Sequence, residues 1–358
     1  MERVYNFAAG PAAMPEAALR RAAEEMLCYQ GSGMSVMEMS HRSAAYQEIF
    51  DHTVALLREL MDIPEDYAVL LLQGGATGQF AAAAMNLLRG SADYLDCGHF
   101  AHSAMVEAQK YGVVRCAAST REASYRRVPR QEEISADPAA DYLYYTTNNT
   151  IYGTAFDYIP ETEAPLVADM SSNILSGPCD VRRFGVIFAG AQKNIGPAGL
   201  TAVIVRRDLL GRAQACTPSV LNWTVMADKG SMLNTPPTYA IYMAGLCLEW
   251  LRDQGGAAAI HAVNRRKAGL LYDYLDHSRL FTGIADRDSR SLMNVTFRTA
   301  DPALDARFVR EAAENGLCNL KGHRVLGGMR ASIYNAMPLA GVEALVSFMK
   351  DFEAKQNC

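Results

Sequence analysis

Short apolar runs alternate with amphipathic segments along the first two thirds of the chain. Apolar residues at helical spacing over 44–61 predict an amphipathic helix. Pro15 opens another predicted helix that runs to about Gln30, where Gly31 stops it. Helical segments near 78–88 and 101–111 separate the first predicted strands. The strands are predicted at AVLLL (68–72), ADYLDC (92–97), DYLYYT (141–146), PLVADM (165–170), GVIFAG (185–190) and TAVIVR (201–206).

This order of strands and helices predicts an α/β fold with a mostly parallel sheet covered by helices. The link between 190 and 201 is too short for a crossover helix, so the strands on either side of it should be antiparallel. The pattern changes beyond 238. There it predicts helices at 238–252, 257–276 and 341–355, with short strands at 292–298 and 328–334.

We therefore predict two domains. The first is a large α/β domain over 16–254, and the second is a smaller α+β domain over 255–358. The N-terminal segment 1–15 is expected to join the smaller domain.

Composition narrows the classes of function. The 358 residues are 50% hydrophobic and carry a formal net charge of −5, which disfavours nucleic-acid and membrane-surface partners. No apolar run reaches the roughly 18 residues that a membrane span needs. The N-terminus lacks the pattern of a signal peptide. The eight cysteines are scattered without CxxC spacing, which is typical of free thiols in a reducing cytoplasm.

Glycine and polar residues follow the predicted strands, at the edge where open α/β sheets bind ligands. In chain order they are Gln73–Gly78, then His99 and Phe100, then Asn148, Asn149 and Thr150, then Asp169, Ser171 and Ser172, and finally Gln192, Lys193 and Asn194.

This ordered set matches what pyridoxal 5′-phosphate requires. The glycine turn at 74–78 opens a helix, whose N-terminal N–H groups and dipole favour a phosphate. Phe100 can stack on the pyridine ring, and Asp169 can keep the ring nitrogen protonated so that the ring acts as an electron sink. Lys193 can form the Schiff base and then move a proton. A lone lysine in a loop is usually a solvated charge, but Lys193 lies between apolar segments. We therefore predict an enzyme that uses this cofactor.

A metal site is the alternative use of the run Cys97-Gly-His99-Phe-Ala-His102. Its spacing could supply three zinc ligands. The run crosses a predicted strand–helix boundary and has no partner cluster elsewhere, so we predict no metal.

Longer stretches are more specific than single residues. They are Asn6-Phe7 with Gly10-Pro11-Ala12, SVMEMSHR (35–42), FGVIFAGAQKNIGPAGLT (184–201), GSMLNTPPT (230–238) and LKGHRVLGGMRASIYNAMP (320–338). In these stretches the chain resembles the phosphoserine aminotransferases, a class V aminotransferase family of dimeric, fold-type I pyridoxal phosphate enzymes. The resemblance covers about 6–352 and implies a mostly parallel seven-stranded sheet in the large domain and a homodimer with shared active sites.

The resemblance also implies a reaction. The amino group would pass from L-glutamate to a phosphorylated 2-oxo acid, 3-phosphohydroxypyruvate, giving O-phospho-L-serine and 2-oxoglutarate for serine biosynthesis. A second role in pyridoxine biosynthesis, through 4-phosphohydroxy-L-threonine, is also implied.

The resemblance implies a role for each matching residue. Lys193 takes the position of the Schiff-base lysine, and Asp169 faces the pyridine nitrogen. The remaining cofactor-binding positions are Ala76, Thr77, Phe100, Thr150 and Gln192, joined by Asn234 and Thr235 of the other subunit. Arg330 matches the arginine that holds the substrate α-carboxylate. The group that binds the distal phosphate or carboxylate is His41, Arg42, His323 and Arg324, the last two expected from the neighbouring subunit.

Residue chemistry agrees with substrates that carry an anion at each end, because arginine pairs with carboxylate or phosphate through two hydrogen bonds. Structural salt bridges are the alternative interpretation of Arg42 and Arg330. The chain also departs from the family pattern twice. Phe100 stands where many relatives have tryptophan, and Thr77 stands where several bacterial relatives have arginine.

Two other functions stay open at this point. One is different chemistry on the same cofactor, such as a cysteine desulfurase, which needs a reactive cysteine on a loop near the cofactor. The other is a non-catalytic binding protein of the same fold.

Overall fold

The computed structural model describes residues 3–356; residues 1–2 and 357–358, at the two ends of the predicted smaller domain, lie outside this range. The strands are β1 (Tyr5–Asn6), β2 (Tyr67–Leu72), β3 (Ser91–Asp96), β4 (Val113–Ser119), β5 (Leu143–Thr146), β6 (Asn148–Asn149), β7 (Thr154–Ala155), β8 (Leu166–Asp169), β9 (Val186–Gly190), β10 (Thr201–Arg206), β11 (Thr282–Gly283), β12 (Asn294–Arg298), β13 (Leu317–Cys318) and β14 (Met329–Ser332). The helices are α1 (Glu16–Glu24), α2 (Ala44–Met61), α3 (Gly75–Leu87), α4 (His99–Ala108), α5 (Trp223–Asp228), α6 (Thr238–Asp253), α7 (Gly256–His277), α8 (Pro302–Glu314) and α9 (Leu339–Ala354).

A seven-stranded sheet forms the centre of the larger part, in the order β2-β10-β9-β8-β5-β3-β4. Strand β10 runs antiparallel to both β2 and β9, so the antiparallel pair predicted from the short link is confirmed. The other neighbours are parallel. Strands β5, β8 and β9 are wholly buried, as expected where helices cover both faces of a parallel sheet. The carboxyl ends of the parallel strands therefore meet at one edge.

Two apolar layers hold the helices against this sheet. One layer includes Tyr46 of α2 and Leu246 of α6. The other includes Phe80 of α3 and Trp223 of α5, and the buried Trp223 indole donates to Gln79 Oε1 at 3.0 Å. Because its polar atom is satisfied, the large ring can be buried without an unpaired N–H group. Within residues 3–356 no helix combines the length and apolarity needed to cross a membrane.

The C-terminal part contains the antiparallel sheet β11-β12-β14, packed with α7, α8 and α9 around a phenylalanine-rich core. Phe281, Phe308 and Phe352 contact one another edge-on or tilted. Strand β1 pairs in parallel with β13, so the N-terminal segment adds to this part. The pairing supports our assignment of 1–15 to the smaller domain, while the boundary near 254 stays a prediction.

The sequence prediction was wrong for the second half of the first helix, which ends at Glu24 rather than near Gln30. Leu27 is 85% exposed and Gln30 has a φ of 45°, which a right-handed helix cannot contain, so the apolar residues of this segment do not continue the helix and only a short 3₁₀ turn forms. Strand β4 was not predicted. It is an edge strand with mostly exposed side chains and therefore lacks the apolar run that marked the other strands.

Candidate active site

The strand ends bring Lys193 and Thr150 into contact. Lys193 follows β9 in a tight loop, in which the amide of Ala191 donates to Leu200 O. Its ammonium donates to Thr150 Oγ1 at 2.8 Å and lies 5.6 Å from the centre of the Phe100 ring. Three residues predicted from separate strand ends therefore meet in space.

The surroundings of Lys193 make its amine less basic. The pKa of Lys193 is lowered to about 8: burial and, to a smaller extent, the charge of Arg330 lower it, while the charge of Asp169 acts in the opposite direction. Much more of the neutral amine is present near neutral pH than for an ordinary lysine, and the neutral amine is the nucleophile.

Asp169 is buried at the end of β8, only 4% exposed. Its Oδ1 accepts from the amide of Ser171 at 2.9 Å and from the Ser171 hydroxyl at 2.6 Å. Burial raises the pKa of Asp169, although the charge of Lys193 and the Ser171 hydrogen bonds oppose this rise. The other oxygen, Oδ2, has no hydrogen-bond partner in the described chain, so it can accept from a protonated ring nitrogen.

Ser171 is a supporting residue to which the sequence analysis assigned no role. Its hydroxyl also accepts from the amide of Gly190 at 3.0 Å, which links the ends of β8 and β9. The available signal was its place two residues after Asp169, where a hydroxyl can reach back to the carboxylate.

The glycine turn after β2 forms the N-terminus of α3. Gly74 and Gly75 have φ values of 96° and 66°, a region that glycine adopts without strain. The first helical bond of this turn is Gly78 N–H to Gly74 O, so the N–H groups of Gly75, Ala76 and Thr77 precede it and can face an anion. Ala76 is half-buried and Thr77 is exposed.

The N-terminal segment passes directly over the lysine loop. The amide of Ala12 donates to Gln192 O at 2.9 Å. A side chain at Gly10, which has a φ of 147°, would lie 3.4 Å from Lys193 Cγ, so this crossing is close. The side chain of Gln192 folds over the end of β9, since a Cβ added at Gly190 would lie 2.7 Å from Gln192 Oε1. The N-terminal motif thus forms one wall of the site.

Arg330 extends from β14 toward the same place. Its Nη1 donates to Thr150 O at 3.3 Å, while its buried Nε has no partner in the described chain. Burial lowers the pKa of Arg330. Neither Arg330 nor Arg42 pairs with a carboxylate of residues 3–356, so the salt bridges considered as the alternative are not observed. A half-buried guanidinium whose Nε–H is buried and unpaired is suited to a bound carboxylate.

The distal group is only partly assembled within one chain. The His323 ring lies 6.1 Å from the His99 ring, and burial lowers the pKa of His323, with the charge of Arg330 lowering it further. His323 therefore lies beside the candidate active site of the chain to which it belongs, whereas we expected it from the neighbouring subunit. Arg324 is exposed on the same loop. His99 was noted after its strand but was given no role in substrate binding.

Within the described chain no hydrogen bond or ring contact joins Lys193 to His41, Arg42, Asn234 or Thr235. His41 is half-buried and Arg42 exposed just before α2, with Arg42 Nε 3.5 Å from His41 Nε2. Asn234 and Thr235 are exposed. Thr235 O accepts from Gln73 Nε2 at 3.2 Å, beside the glycine turn.

The residues considered as the alternative metal site do not converge. Cys97 is buried against Asn149, with its pKa raised to about 12 by burial, while His102 faces Arg121. Over residues 3–356, no group of three or more histidine, cysteine or acidic side chains could hold a metal ion.

The site as a whole fits pyridoxal 5′-phosphate. The open oxygen of Asp169 suits a ring N–H, the turn at the start of α3 suits a phosphate, and Thr150 suits a ring hydroxyl. Lys193 lies next to Thr150 and to the Phe100 ring. This arrangement can hold the ring and present an amine to it.

Comparison with known proteins agrees with the geometry. Residues 4–345 match the family described as aminotransferase class-V. The phosphoserine aminotransferase of Aromatoleum aromaticum is 56% identical over 100% of both chains. The solved phosphoserine aminotransferase of Bacillus circulans subsp. alkalophilus is 45% identical, with a TM-score of 0.97 over 99% of this chain and 100% of that one. The PLP-bound phosphoserine aminotransferase of Trichomonas vaginalis is 39% identical, with a TM-score of 0.94 over 97% and 100%.

Full-length identity above one half, a matching family profile and superimposable solved structures all lead to the same assignment. The chain belongs to the class-V aminotransferase family and, within it, to the phosphoserine aminotransferases.

Proposed function

We propose that this enzyme transfers the amino group of L-glutamate to 3-phosphohydroxypyruvate, giving 2-oxoglutarate and O-phospho-L-serine. The observation that carries the proposal is the contact of Thr150 with both Lys193 and Arg330. It places the reactive amine next to a guanidinium that has a free N–H, so a substrate carboxylate can bind beside the lysine. Serine biosynthesis is the corresponding role, and a role in pyridoxine biosynthesis through 4-phosphohydroxy-L-threonine belongs to the same proposal.

Pyridoxal 5′-phosphate, when bound, supplies a protonated ring that withdraws electrons from the substrate Cα. Asp169 holds the proton on the ring nitrogen through its open oxygen. Its burial keeps water from competing for that hydrogen bond. Lys193, with a pKa of about 8, can accept at Nζ the proton that leaves the Cα of glutamate in the first half of the reaction. In the second half it can deliver a proton to the Cα of the acceptor.

The substrate carboxylate binds to Arg330. Burial removes much of the water that would otherwise solvate this guanidinium, so pairing with a carboxylate is favoured strongly. Because glutamate and the acceptor acid both carry an α-carboxylate, one arginine serves both halves of the reaction.

The distal anion of each substrate binds to a second group of basic side chains, His41, Arg42, His323 and Arg324, in which the two arginines carry the positive charge. The support for this step is the position of His323 beside His99 and the absence of any ion pair at Arg42 within residues 3–356. A site of this kind accepts the γ-carboxylate of glutamate and the phosphate of the acceptor in turn.

We further propose a homodimer in which each site uses residues of both chains. Asn234 and Thr235 carry donors for a phosphate yet are exposed in the single chain. Three large apolar side chains of the segment that leads to His41, Leu27, Met34 and Met37, are 85%, 42% and 56% exposed, and such a concentration of exposed apolar side chains favours a partner that covers them. A fully active enzyme that sediments as a monomer would contradict this part of the proposal.

A cysteine desulfurase is the weaker alternative. Cys97, just after β3, and Cys247, within α6, are both buried, and burial raises the pKa of each to about 12. A thiol of this kind is a poor nucleophile near neutral pH. The described cysteines are all free, which suits the cytoplasmic location that we propose.

Steady-state kinetics with three acceptors test the function. With glutamate as donor, we expect kcat/KM for 3-phosphohydroxypyruvate to exceed that for hydroxypyruvate by at least about 100-fold, because hydroxypyruvate lacks the distal phosphate and leaves the distal-anion site unpaired. Oxaloacetate should also be poor. Arg42→Ala should reduce the preference for the phosphorylated acid. Equal values for all three acceptors would contradict the proposed function.

A further inference from the structure

The loop that carries Thr150 is attached to the small sheet by alternate residues. Asn148 Nδ2 donates to Asn294 Oδ1 at 2.8 Å, Thr150 O accepts from Arg330 Nη1 at 3.3 Å, and Tyr152 O accepts from Thr296 Oγ1 at 2.9 Å.

The approach between loop and sheet is very close. A Cβ added at Gly153 would lie 2.7 Å from Thr296 Oγ1 and 2.8 Å from Asn294 O. The loop therefore takes its position from the small sheet.

Asn294 and Arg330 lie on the same face of that sheet. In the antiparallel register Asn294 pairs with Ser332, and Thr296 pairs with Arg330. Ser332 and Arg330 are two residues apart on β14, so their side chains extend to the same side. Asn294 Nδ2 donates to Ser332 Oγ at 3.0 Å. One side chain thus contacts both the loop of Thr150 and the strand of Arg330.

The direction of each hydrogen bond on the loop side is fixed. Ser172 Oγ gives its single proton to Asn148 O, at 2.7 Å, so it can only accept from Asn148 Nδ2. Ser291 Oγ donates to Asn148 Oδ1 at 2.5 Å. The side-chain nitrogen Nδ2 of Asn148 therefore faces Asn294, and the side-chain oxygen Oδ1 of Asn294 must accept its hydrogen bond.

On the other side, the Asn294 amide nitrogen must donate. It does so to Ser332 Oγ and, at 3.1 Å, to Tyr334 Oη. Tyr334 passes its own proton to Ala9 O at 2.8 Å, in the N-terminal segment that lines the site. Asn294 is completely buried and every polar atom of its amide is satisfied. Because the protons of these hydrogen bonds have no alternative arrangement, the Asn294 side chain cannot shift or flip without losing hydrogen bonds.

We infer that Asn294 is a positioning residue that holds Thr150 and Arg330 at the separation a substrate carboxylate needs beside Lys193. The inference rests on the proposed function, because it assigns the carboxylate to Arg330. Asn294 contacts neither Lys193 nor Arg330 directly, so it acts through Asn148 and Ser332.

The test compares Asn294→Ala with Thr296→Val in the holoenzyme. Asn294→Ala should raise KM for glutamate and for 3-phosphohydroxypyruvate about 10-fold, with a smaller change in kcat, because the carboxylate site is displaced while Lys193 remains. It should also weaken cofactor binding several-fold and increase hydrogen–deuterium exchange over 147–154. Thr296→Val removes one hydrogen bond on the same face, at Tyr152, and should leave both KM values within about 2-fold of the wild type.

The result that overturns the inference is an Asn294→Ala enzyme with a lowered Tm but with KM, cofactor affinity and exchange equal to those of Thr296→Val. Ser332→Ala, which removes a single acceptor, serves if Asn294→Ala does not fold. It should raise both KM values about 3-fold, and unchanged values would reject the inference. Failure of the proposed function is distinct, since the wild-type enzyme would then lack the phosphorylated-acid activity in the same assay.

Discussion

At the scale of single residues, the chemistry depends on how Lys193 is surrounded. Burial destabilises its charged form, and Thr150 Oγ1 accepts a hydrogen bond from Nζ, so the amine is directed as well as made less basic. Asp169, at the end of the neighbouring strand, limits the fall in pKa but does not reverse it. The balance leaves the neutral amine accessible close to physiological pH.

A pH dependence follows for capture of the cofactor by the apo-protein. Only the neutral amine attacks the aldehyde. Below pH 8 the fraction of neutral Lys193 falls about 10-fold per pH unit, and above pH 8 it is nearly constant. The rate of appearance of visible absorbance should therefore rise up to about pH 8 and then level off. A rate that still rises 10-fold per unit beyond about pH 9 would indicate an ordinary lysine.

Several site residues could be predicted from sequence because they directly follow apolar strands. Asp169, Thr150 and Lys193 were found in this way, and the structure brings Thr150 and Lys193 into contact. The assignment of Arg330 to a carboxylate came only from the family resemblance. No local pattern showed that Arg330 would reach Thr150, because 180 residues separate them in the chain.

At the scale of secondary-structure elements, α7 is fixed to the stretch that follows β14 by a buried cation. Lys267 is completely buried, and its ammonium donates to the carbonyls of Ile333, Tyr334 and Met337 at 3.0, 2.7 and 3.0 Å. The backbone amide of Asn335, in this stretch, donates to Oδ1 of Asn194, the residue that follows the reactive lysine. Burial lowers the pKa of Lys267 to about 7.

The burial of Lys267 makes stability depend on pH. Between about pH 7 and the ordinary lysine value of 10.5, the unfolded chain binds more protons at this residue than the folded chain does. Its contribution to the free energy of unfolding should therefore increase with pH, by up to about 1.4 kcal/mol per unit.

Lys267→Met tests this dependence. The difference in unfolding free energy between wild type and variant should be larger at pH 9 than at pH 7 by about 2 kcal/mol, measured by denaturant titration of the holoenzyme. An equal difference at both values would show that Lys267 keeps an ordinary pKa when folded.

Elements were predicted well where one pattern dominated. The apolar spacing over 44–61 gave α2 with the bounds Ala44–Met61. Helix α8 was missed although Asp301 caps it and Pro302 occupies its first turn, both of which are start signals. Strand β4 could not be recognised, because its stability comes from pairing with β3 rather than from buried side chains.

At the scale of the whole molecule, three distant segments complete one site. The strand ends supply Lys193 and Asp169, the small sheet supplies Arg330, and the N-terminal segment crosses at Gly10. Such long-range meetings depend on how the two parts pack, which local periodicity does not encode. The resemblance to a known family anticipated them, since related chains pack in the same way.

The central claim is that Lys193 and its cofactor carry an amino group from glutamate to a phosphorylated oxo acid. The most direct measurement is the visible spectrum of the purified holoenzyme. A band at about 400 nm should disappear when glutamate is added and return when 3-phosphohydroxypyruvate follows, while Lys193→Ala should show no such cycle. A band that glutamate leaves unchanged, or a Lys193→Ala enzyme that transfers the amino group at the wild-type rate, would contradict the account.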